Sequence, residues 1–390
     1  MTGVVRKDCW PTPEQELVLR AALLTGEEAV QAWQEWAANF EFDRISNGVR
    51  RLLPLAHHHL RGLGVEHPLL RKIGGIRRFT WCENQVIFHT AGALLRALDG
   101  TGIPTMVLKG APLALLHYRD ASLRPMRDVD VLVPPDETLA AISVLRDLGW
   151  APKMPWPEDL AEQYVPTRHA HGFKNGGRHE LDLHSFVLAQ SSRRDADAAF
   201  WREAVPVQVD GMATRALDST SQLLHVCVHA ASWAHEHPVH WVADSVMVLR
   251  GEGPIDWDRF VRQAREHAVV LPLRERLRYL RAVLDAPIPG EVLVQLDALE
   301  VKPRERRDHA LLEKPLALRG PFGMLQYYRR EYERWKGREN LNGDSGGFLR
   351  YMQHYWALRH PWQLPLHLLF RTARKTLRTN LARLRSHTNG

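Results

Sequence analysis

The segment Arg127-Asp128-Val129-Asp130-Val131-Leu132-Val133 places two carboxylates inside an apolar run that is typical of a buried β-strand. Side chains alternate along a strand, so Asp128 and Asp130 are expected to point to the same face. Burying two ionised groups on one face is costly unless each has a partner. A divalent cation is the simplest partner, because Mg²⁺ is usually held by carboxylates together with substrate phosphates. The alternative is a strand end that faces solvent or pairs with Arg124 and Arg127.

A second short strand and a glycine-containing turn precede this segment. Thr105-Met106-Val107-Leu108 is apolar, Lys109-Gly110 follows, and Pro112 stands where the first turn of a helix over 113–118 is expected. The N-terminus of a helix offers unpaired N–H groups and the positive end of a dipole, and Lys109 adds a full charge beside it. The sequence therefore predicts an anion-binding turn close in the chain to a metal-binding carboxylate pair.

A third carboxylate follows a predicted hairpin. Asn175-Gly176-Gly177 lies between two extended runs, which is typical of a hairpin turn. In the second run Glu180, Asp182 and His184 share one face, and leucines occupy the other. If this strand lies beside the D-x-D strand, Asp182 joins the carboxylate pair, and His184 could contact substrate or a phosphate. The alternative is the solvent-facing polar edge of a hairpin.

These motifs resemble the nucleotidyltransferase superfamily with the DNA polymerase β-like fold, and more closely a bacterial nucleotidyltransferase family with an L-K-G turn. The resemblance extends over residues 30–250. The matching stretches are Leu108-Lys109-Gly110, Arg124 and Arg127 ahead of Asp128-Val129-Asp130, Leu148-Gly149-Trp150, Leu181-Asp182-Leu183-His184, and His225, His229, Trp241 and Asp244. The usual Gly-Ser turn of the superfamily is Lys-Gly here, so the serine hydroxyl that commonly touches a phosphate is missing.

The resemblance implies a nucleotidyltransferase dependent on Mg²⁺ or Mn²⁺. It would transfer NMP from an NTP, with ATP the favoured donor, to a hydroxyl of a small molecule, peptide or protein, and release pyrophosphate. Asp182 would orient the second metal and the attacking hydroxyl. The residues assigned to the metals and catalysis are Asp128, Asp130 and Asp182, and those assigned to the nucleotide are Lys109, Gly110, Arg124, Arg127 and His184. Two alternatives keep the fold: an enzyme that modifies RNA, and a non-catalytic nucleotide-binding module.

Composition indicates an ordinary globular protein. With 390 residues, 45% of them hydrophobic, the chain is long enough to bury a sizeable core. The three cysteines, Cys9, Cys82 and Cys227, are too widely spaced for a disulfide framework or a zinc pair. No apolar run reaches the length of a transmembrane helix, and the N-terminus lacks an apolar signal region. We therefore expect a cytoplasmic protein.

The charge balance favours anionic partners, since the formal net charge is +7. Much of the excess lies between Arg371 and Arg385, where six Lys or Arg residues occur without an acid, interleaved with leucines at helical spacing. This pattern predicts a basic amphipathic helix for RNA, lipid or a partner protein. The alternative is a terminal helix that packs its leucines on the protein body.

Two histidines at helical spacing, His225 and His229, could ligate zinc together. No acidic third ligand stands at a convincing offset, so a structural or supporting role is the preferred interpretation. The run His235-Glu236-His237-Pro238-Val239-His240 superficially resembles H-E-x-x-H, but its proline would break the helix that this motif requires. Asp244 either anchors the helical region against the site or caps a helix.

The pattern along the chain predicts three regions: a helical region over 1–101, a nucleotidyltransferase-like core over 102–217, and a helical region over 218–390 that ends in the basic tail. The predicted strands cover 105–108, 128–133, 169–174, 178–187, 205–209 and 212–217, with a helix over 136–148. The expected fold class is α+β, a mixed sheet flanked by N-terminal and C-terminal helices.

Overall fold

A computed structural model describes residues 10–41, 45–176, 180–232, 239–312, 320–339 and 347–370. The basic run 371–385 and the histidines at 235 and 237 lie outside the described residues. The architecture is a mixed sheet with long helical regions before and after it, which confirms the α+β class. In the described part of the chain, no helix is both long and apolar enough to cross a lipid bilayer.

The sheet has seven strands. They are β1 (Met106–Leu108), β2 (Asp128–Leu132), β3 (Ala151–Pro152), β4 (Ala170–Lys174), β5 (Glu180–His184), β6 (Val205–Val209) and β7 (Met212–Ala216). The spatial order is β3-β4-β5-β2-β1-β7-β6. β2 lies at the centre, antiparallel to β1 and parallel to β5. Six of the strands were predicted, and β3 was not, because a strand of two residues leaves no alternation to detect.

The two faces of the sheet differ in chemistry. Val107, Val131 and Leu183 form one row across β1, β2 and β5. They belong to a core that also contains residues of α4 (Pro68–Gly100) and α6 (Thr138–Asp147). The neighbouring residues Leu108, Asp130 and Asp182 form the corresponding row on the opposite face. The alternation that buries valines on one side therefore gathers the carboxylates on the other.

The first helix before the sheet begins at a capping box. Thr12 accepts a hydrogen bond from the backbone N–H of Gln15, and the Gln15 side chain accepts one from the Thr12 N–H, so the two residues form a capping box. The N-terminal helices are α1 (Pro13–Leu23), α2 (Gly26–Ala38), α3 (Asn47–Gly62) and α4. The long α4 ends at Gly100, shortly before β1.

Further helices lie within and after the sheet region. The short ones are α5 (Gly110–Pro112), α7 (Ala161–Tyr164) and α8 (Ala198–Arg202). The later ones are α9 (Ser219–Ser232), α10 (His240–Leu249), α11 (Trp257–Glu266), α12 (Val270–Leu284), α13 (Gly290–Ala298), α14 (Pro303–Leu312), α15 (Pro321–Arg338) and α16 (Gly347–Tyr355). Residues of α1, α3, α9, α10 and α12 share one hydrophobic core, which also takes Leu108 and Leu132 from the sheet. The N-terminal and C-terminal helical regions therefore pack together on the face that carries the carboxylates.

The loop 119–127, which leads into β2, is held by Asn84 of α4. The Asn84 amide nitrogen donates to the carbonyls of Ala121 (2.6 Å) and Arg124 (2.8 Å), and its oxygen accepts the N–H of Met126 (3.2 Å). Asn84 is completely buried (0% exposed), so water cannot replace these bonds. One side chain thus fixes the approach of the chain to the D-x-D strand.

We expect Asn84→Ala to lower the free energy of unfolding by about 2–4 kcal/mol, because two buried carbonyls and one N–H lose their partner. The matched control is Gln85→Ala, at the exposed neighbouring position of the same helix, which should change stability by less than about 0.5 kcal/mol. Denaturant unfolding of both variants measures the difference. Equal, small losses would show that the loop holds its conformation without Asn84.

Candidate functional site

Asp130 lies at the centre of the polar face and is almost fully buried (3% exposed). Its Oδ1 accepts hydrogen bonds from Lys109 Nζ (2.5 Å) and from His184 Nε2 (3.0 Å). Burial alone would raise the pKa of Asp130, but the Lys109 charge and the His184 bond hold it well below its usual value. Asp130 is therefore an ionised carboxylate inside the protein.

The strand register brings the predicted third carboxylate beside it. β2 and β5 run parallel with Asp130 opposite Asp182 and Leu132 opposite His184. One ligand atom each from Asp130, Asp182 and His184 lies within 4.8 Å of the other two, which is close enough for a single cation. Asp182 is more accessible than Asp130, with 21% of its side chain exposed. The structure thus brings together three of the residues that the sequence singled out.

Asp128 lies on the same face of β2 as Asp130, two residues earlier, where it pairs with Glu180 of β5. It is not part of the group formed by Asp130, Asp182 and His184. Burial first, and then the negative charge of Asp130, raise the pKa of Asp128 to about 7. The charge of Asp182 acts in the same direction, while that of Lys109 opposes it. The carboxylates therefore repel one another, and added positive charge would stabilise the cluster.

Lys109 reaches Asp130 from a strained backbone. It follows β1 with φ 52° and ψ −112°, a conformation that a residue other than glycine rarely adopts. Such strain costs about 1–3 kcal/mol and persists where the surrounding structure enforces it, often at functional sites. The Lys109 side chain is partly buried (17% exposed), and the charges of Asp130 first, then Asp182, raise its pKa despite this burial. The turn therefore presents a cation to the carboxylates.

Gly110 allows the turn to approach the loop 119–127. A Cβ atom on Gly110 would lie 2.9 Å from Arg124 Nη1 and 2.9 Å from Met126 Sδ, which is too close for a carbon contact. The predicted helix after Gly110 is present, but α5 is a single turn and 113–118 has π-helical geometry. A helix this short has little dipole, so the predicted anion-binding role of the turn depends on Lys109.

Arg124 is buried and engaged with the C-terminal helical region. Its Nε and Nη2 donate to the two oxygens of Asp244, each at 2.8 Å. The Tyr118 hydroxyl donates to the same carboxylate at 2.9 Å. The two nitrogens that would grip a phosphate are therefore occupied by Asp244, which anchors α10 to the loop before β2. The predicted phosphate role of Arg124 stays a prediction.

Arg127 occupies a different environment beside Asp128, because its side chain is exposed. Arg51 of α3 lies near it. Burial, and then the positive charges of Arg124 and Arg127, lower the pKa of Arg51 to about 10. Arg51 in turn donates to the carbonyl of Pro125 at 3.4 Å. Arg51, Arg124 and Arg127 thus lie close together next to the carboxylates.

Lys153 is a residue of the site that sequence reasoning missed. It follows β3, and its Nζ lies 2.9 Å from Glu180 Oε2 and 3.6 Å from Asp182 Oδ1. A Cβ on Gly172 of β4 would lie 2.9 Å from Lys153 Cδ and 3.1 Å from Asp182 Oδ1, so that glycine makes room for the lysine. A lone glycine within a strand often marks such a close approach, and it was the available signal.

His225 and His229 lie on α9, near Lys109. Their ring centroids are 5.6 Å apart. Burial, and then the charge of Lys109, lower the pKa of His225 to about 3 and that of His229 well below its usual value. Both rings are therefore neutral. In the described ranges neither histidine belongs to a group of three metal-ligating side chains, so no third ligand for a zinc ion is found beside them.

The comparison with protein families gives one match, to a family described as uncharacterised nucleotidyltransferase, over residues 48–285. The matched segment is more than half of the chain and contains all the site residues named above. No curated protein matches the chain.

We expect Asp244→Leu to lower the unfolding free energy by about 3–5 kcal/mol, because it leaves the Arg124 cation buried without its partner. Adding Arg124→Met should recover part of that loss, since the unpaired charge is removed. Denaturant unfolding of both single variants and the double variant gives the coupling energy. The exposed pair Arg119–Glu252 provides the control: Glu252→Gln should leave stability unchanged. Additive losses at Arg124 and Asp244 would contradict the pairing.

Proposed function

The chain belongs to this family of uncharacterised nucleotidyltransferases, and we propose that it transfers a nucleoside monophosphate from an NTP to a hydroxyl acceptor, with release of pyrophosphate. The observation that carries the proposal is the buried, ionised Asp130, paired with Lys109 and aligned with Asp182 on the neighbouring strand. The favoured donor is ATP. The acceptor hydroxyl belongs to a small molecule, a peptide or a protein.

The donor set suits a divalent cation. The carboxylate oxygens of Asp130 and Asp182 are the hard ligands that Mg²⁺ and Mn²⁺ prefer, and Asp128 adds a third carboxylate on the same face. His184 Nε2 is bonded to Asp130, so it can fix the orientation of that carboxylate or contribute a ligand itself. When bound, the cation would offset the charge of the phosphate oxygens and favour ionisation of the attacking hydroxyl.

Lys109 has two anionic partners within the proposed reaction. In this structure it supplies the positive charge that the buried Asp130 requires. Its flexible stem allows the ammonium group to move from Asp130 to the phosphates of a nucleotide that lies against the turn. There its charge would stabilise the negative charge that develops on the leaving pyrophosphate.

Asp182 is the carboxylate best placed for the acceptor. Its side chain is partly exposed, unlike that of Asp130, and it lies at the same level on the adjacent strand. It can accept a hydrogen bond from the acceptor hydroxyl and hold its oxygen towards the α-phosphorus. Lys153, 3.6 Å from Asp182, adds positive charge on that side.

No specific observation favours either alternative, an enzyme that modifies RNA or a non-catalytic nucleotide-binding module. The basic run 371–385, on which the RNA-acceptor hypothesis depended, lies outside the described residues. A non-catalytic nucleotide-binding module has no need for three clustered carboxylates. We therefore favour the enzyme.

We expect wild-type protein to bind ATP in a Mg²⁺-dependent manner and Asp130→Asn to weaken that binding at least tenfold, because the cation loses its central ligand. Calorimetric titration with ATP, GTP, CTP and UTP, with and without Mg²⁺, measures the affinities and identifies the donor. The control is Glu180→Gln, an exposed carboxylate on the same face of β5, which should stay within twofold of wild type. Unchanged Mg²⁺-dependent binding in Asp130→Asn would place the site elsewhere.

Lys109→Met tests the charge balance at Asp130. In the presence of a chelator we expect a loss of about 3–5 kcal/mol in the unfolding free energy, since a buried carboxylate loses its cation. Saturating Mg²⁺ should reduce this loss, because the divalent cation takes over the charge compensation. The control is Lys174→Met, at an exposed position of β4, which should respond to neither condition. A loss that Mg²⁺ does not reduce would argue against a cation at Asp130.

A further inference from the structure

Arg338, the last residue of α15, is buried to 1% exposure. In the described part of the chain, none of its three guanidinium nitrogens has a hydrogen-bond partner. Leaving a buried charged group without hydrogen bonds is strongly unfavourable, and such groups are rare in native proteins. The burial of Arg338 therefore calls for an explanation other than packing.

Its neighbours Arg330 and Arg334 on the same helix each donate hydrogen bonds to acids, although Arg330 Nη1 has no partner among the described residues. Arg334 donates to Glu331 (2.9 Å) and to Asp308 (3.2 Å), and Arg330 donates to Glu331 (2.8 Å). Arg338 lies one turn beyond Arg334 and has no such bond. Arg334 and Arg338 are the same residue type on the same helix and differ, within the described ranges, in whether an acid is within hydrogen-bond distance.

Arg338 lies next to the proposed active site. The carbon of its guanidinium group is 5.3 Å from the ring centroid of Phe186, two residues after His184. His169 links the two: its carbonyl accepts the N–H of Ser185 (2.8 Å), and its ring centroid is 5.8 Å from that of His184. His184 in turn is bonded to Asp130. A short series of contacts therefore joins Arg338 to the carboxylate cluster.

Three acids act on Arg338 by charge, Glu331, Glu339 and Asp197, and two of them are already engaged in hydrogen bonds. Glu331 accepts from two other arginines, and Asp197 accepts the N–H of Val187 (2.6 Å) and the hydroxyl of Ser191 (3.4 Å). Both act on Arg338 through their charge alone. The guanidinium group therefore retains its full set of donors.

The packing of α15 holds Arg338 in this place. A Cβ on Gly337 would overlap the carbonyl oxygen of Ser192, so the helix lies directly against that backbone and only glycine fits. Glycine in the last turn of a helix is unfavourable unless close approach requires it. Gly337 thus lowers the stability of the helix end next to Arg338, and its close contact with Ser192 explains why a glycine is present there.

We propose that Arg338 binds a phosphate group of one of the two substrates at the side of the active site next to Phe186. A planar guanidinium binds a phosphate through two parallel N–H bonds, which would satisfy the buried donors. The phosphate comes either from the NTP or from a phosphorylated acceptor. Arg338 lies outside residues 48–285, so this contact belongs to the part of the chain beyond the family match. This proposal rests on the proposed function, which supplies both sources of the phosphate.

The test compares Arg338→Met with Arg334→Met. We expect Arg338→Met to weaken binding of at least one phosphate probe tenfold or more, with no loss of stability, since an unpaired buried charge is removed. Arg334→Met should lose stability, because Glu331 and Asp308 lose a partner, but should bind the probes within twofold of wild type. Calorimetry with inorganic phosphate, inorganic pyrophosphate and Mg²⁺·ATP gives the affinities, and denaturant unfolding gives the stabilities. Arg338→Lys, which keeps the charge but not the paired donors, should fall between wild type and Arg338→Met.

The probes distinguish the two sources of the phosphate. Weaker binding of both pyrophosphate and Mg²⁺·ATP indicates the nucleotide, and weaker binding of inorganic phosphate with unchanged Mg²⁺·ATP indicates the acceptor. Unchanged affinities for all three probes in folded Arg338→Met or Arg338→Lys would overturn the proposal. Failure of the wild-type protein to bind Mg²⁺·ATP while it binds inorganic phosphate through Arg338 would instead overturn the proposed nucleotidyl transfer.

Discussion

The ionised carboxylate of Asp130, enclosed in the protein, is the constraint on which the site depends. A charge at that depth must be compensated, and Lys109 and His184 do so from two different elements. Lys109 reaches it only through a strained backbone, and His184 only through the parallel pairing of β2 and β5. The sheet order, the turn after β1 and the position of the histidine are therefore linked by one electrostatic requirement.

The loop before β2 connects the site to the helices on both sides of the sheet in the chain. Asn84 holds the loop to the long helix α4, and Arg124 in the same loop holds Asp244 of α10. The N-terminal and C-terminal helices thus meet at the segment that delivers Asp128 and Asp130 to the sheet. The arginine predicted to bind a phosphate has this positioning contact, while Lys109 remains the cation closest to the carboxylates.

Much of the site could be predicted because it depends on local patterns. Alternation along β2 and β5 is enough to place Asp128 with Asp130, and Asp182 with His184, on polar faces. The role of Arg124 could not be predicted, because its partner Asp244 lies 120 residues away in the chain. Lys153 was missed because the strand before it has two residues, and Arg338 because nothing in its own helix distinguishes it from Arg334.

The sequence by itself determined the α+β class and six of the seven strands, since alternation and turn residues are local properties. The tertiary structure alone decided which charges are paired. Among the described residues it gives Arg338 no hydrogen-bond partner, and it joins Arg124 to Asp244 and Lys109 to Asp130, because burial and long-range contacts set the electrostatic environment of a side chain.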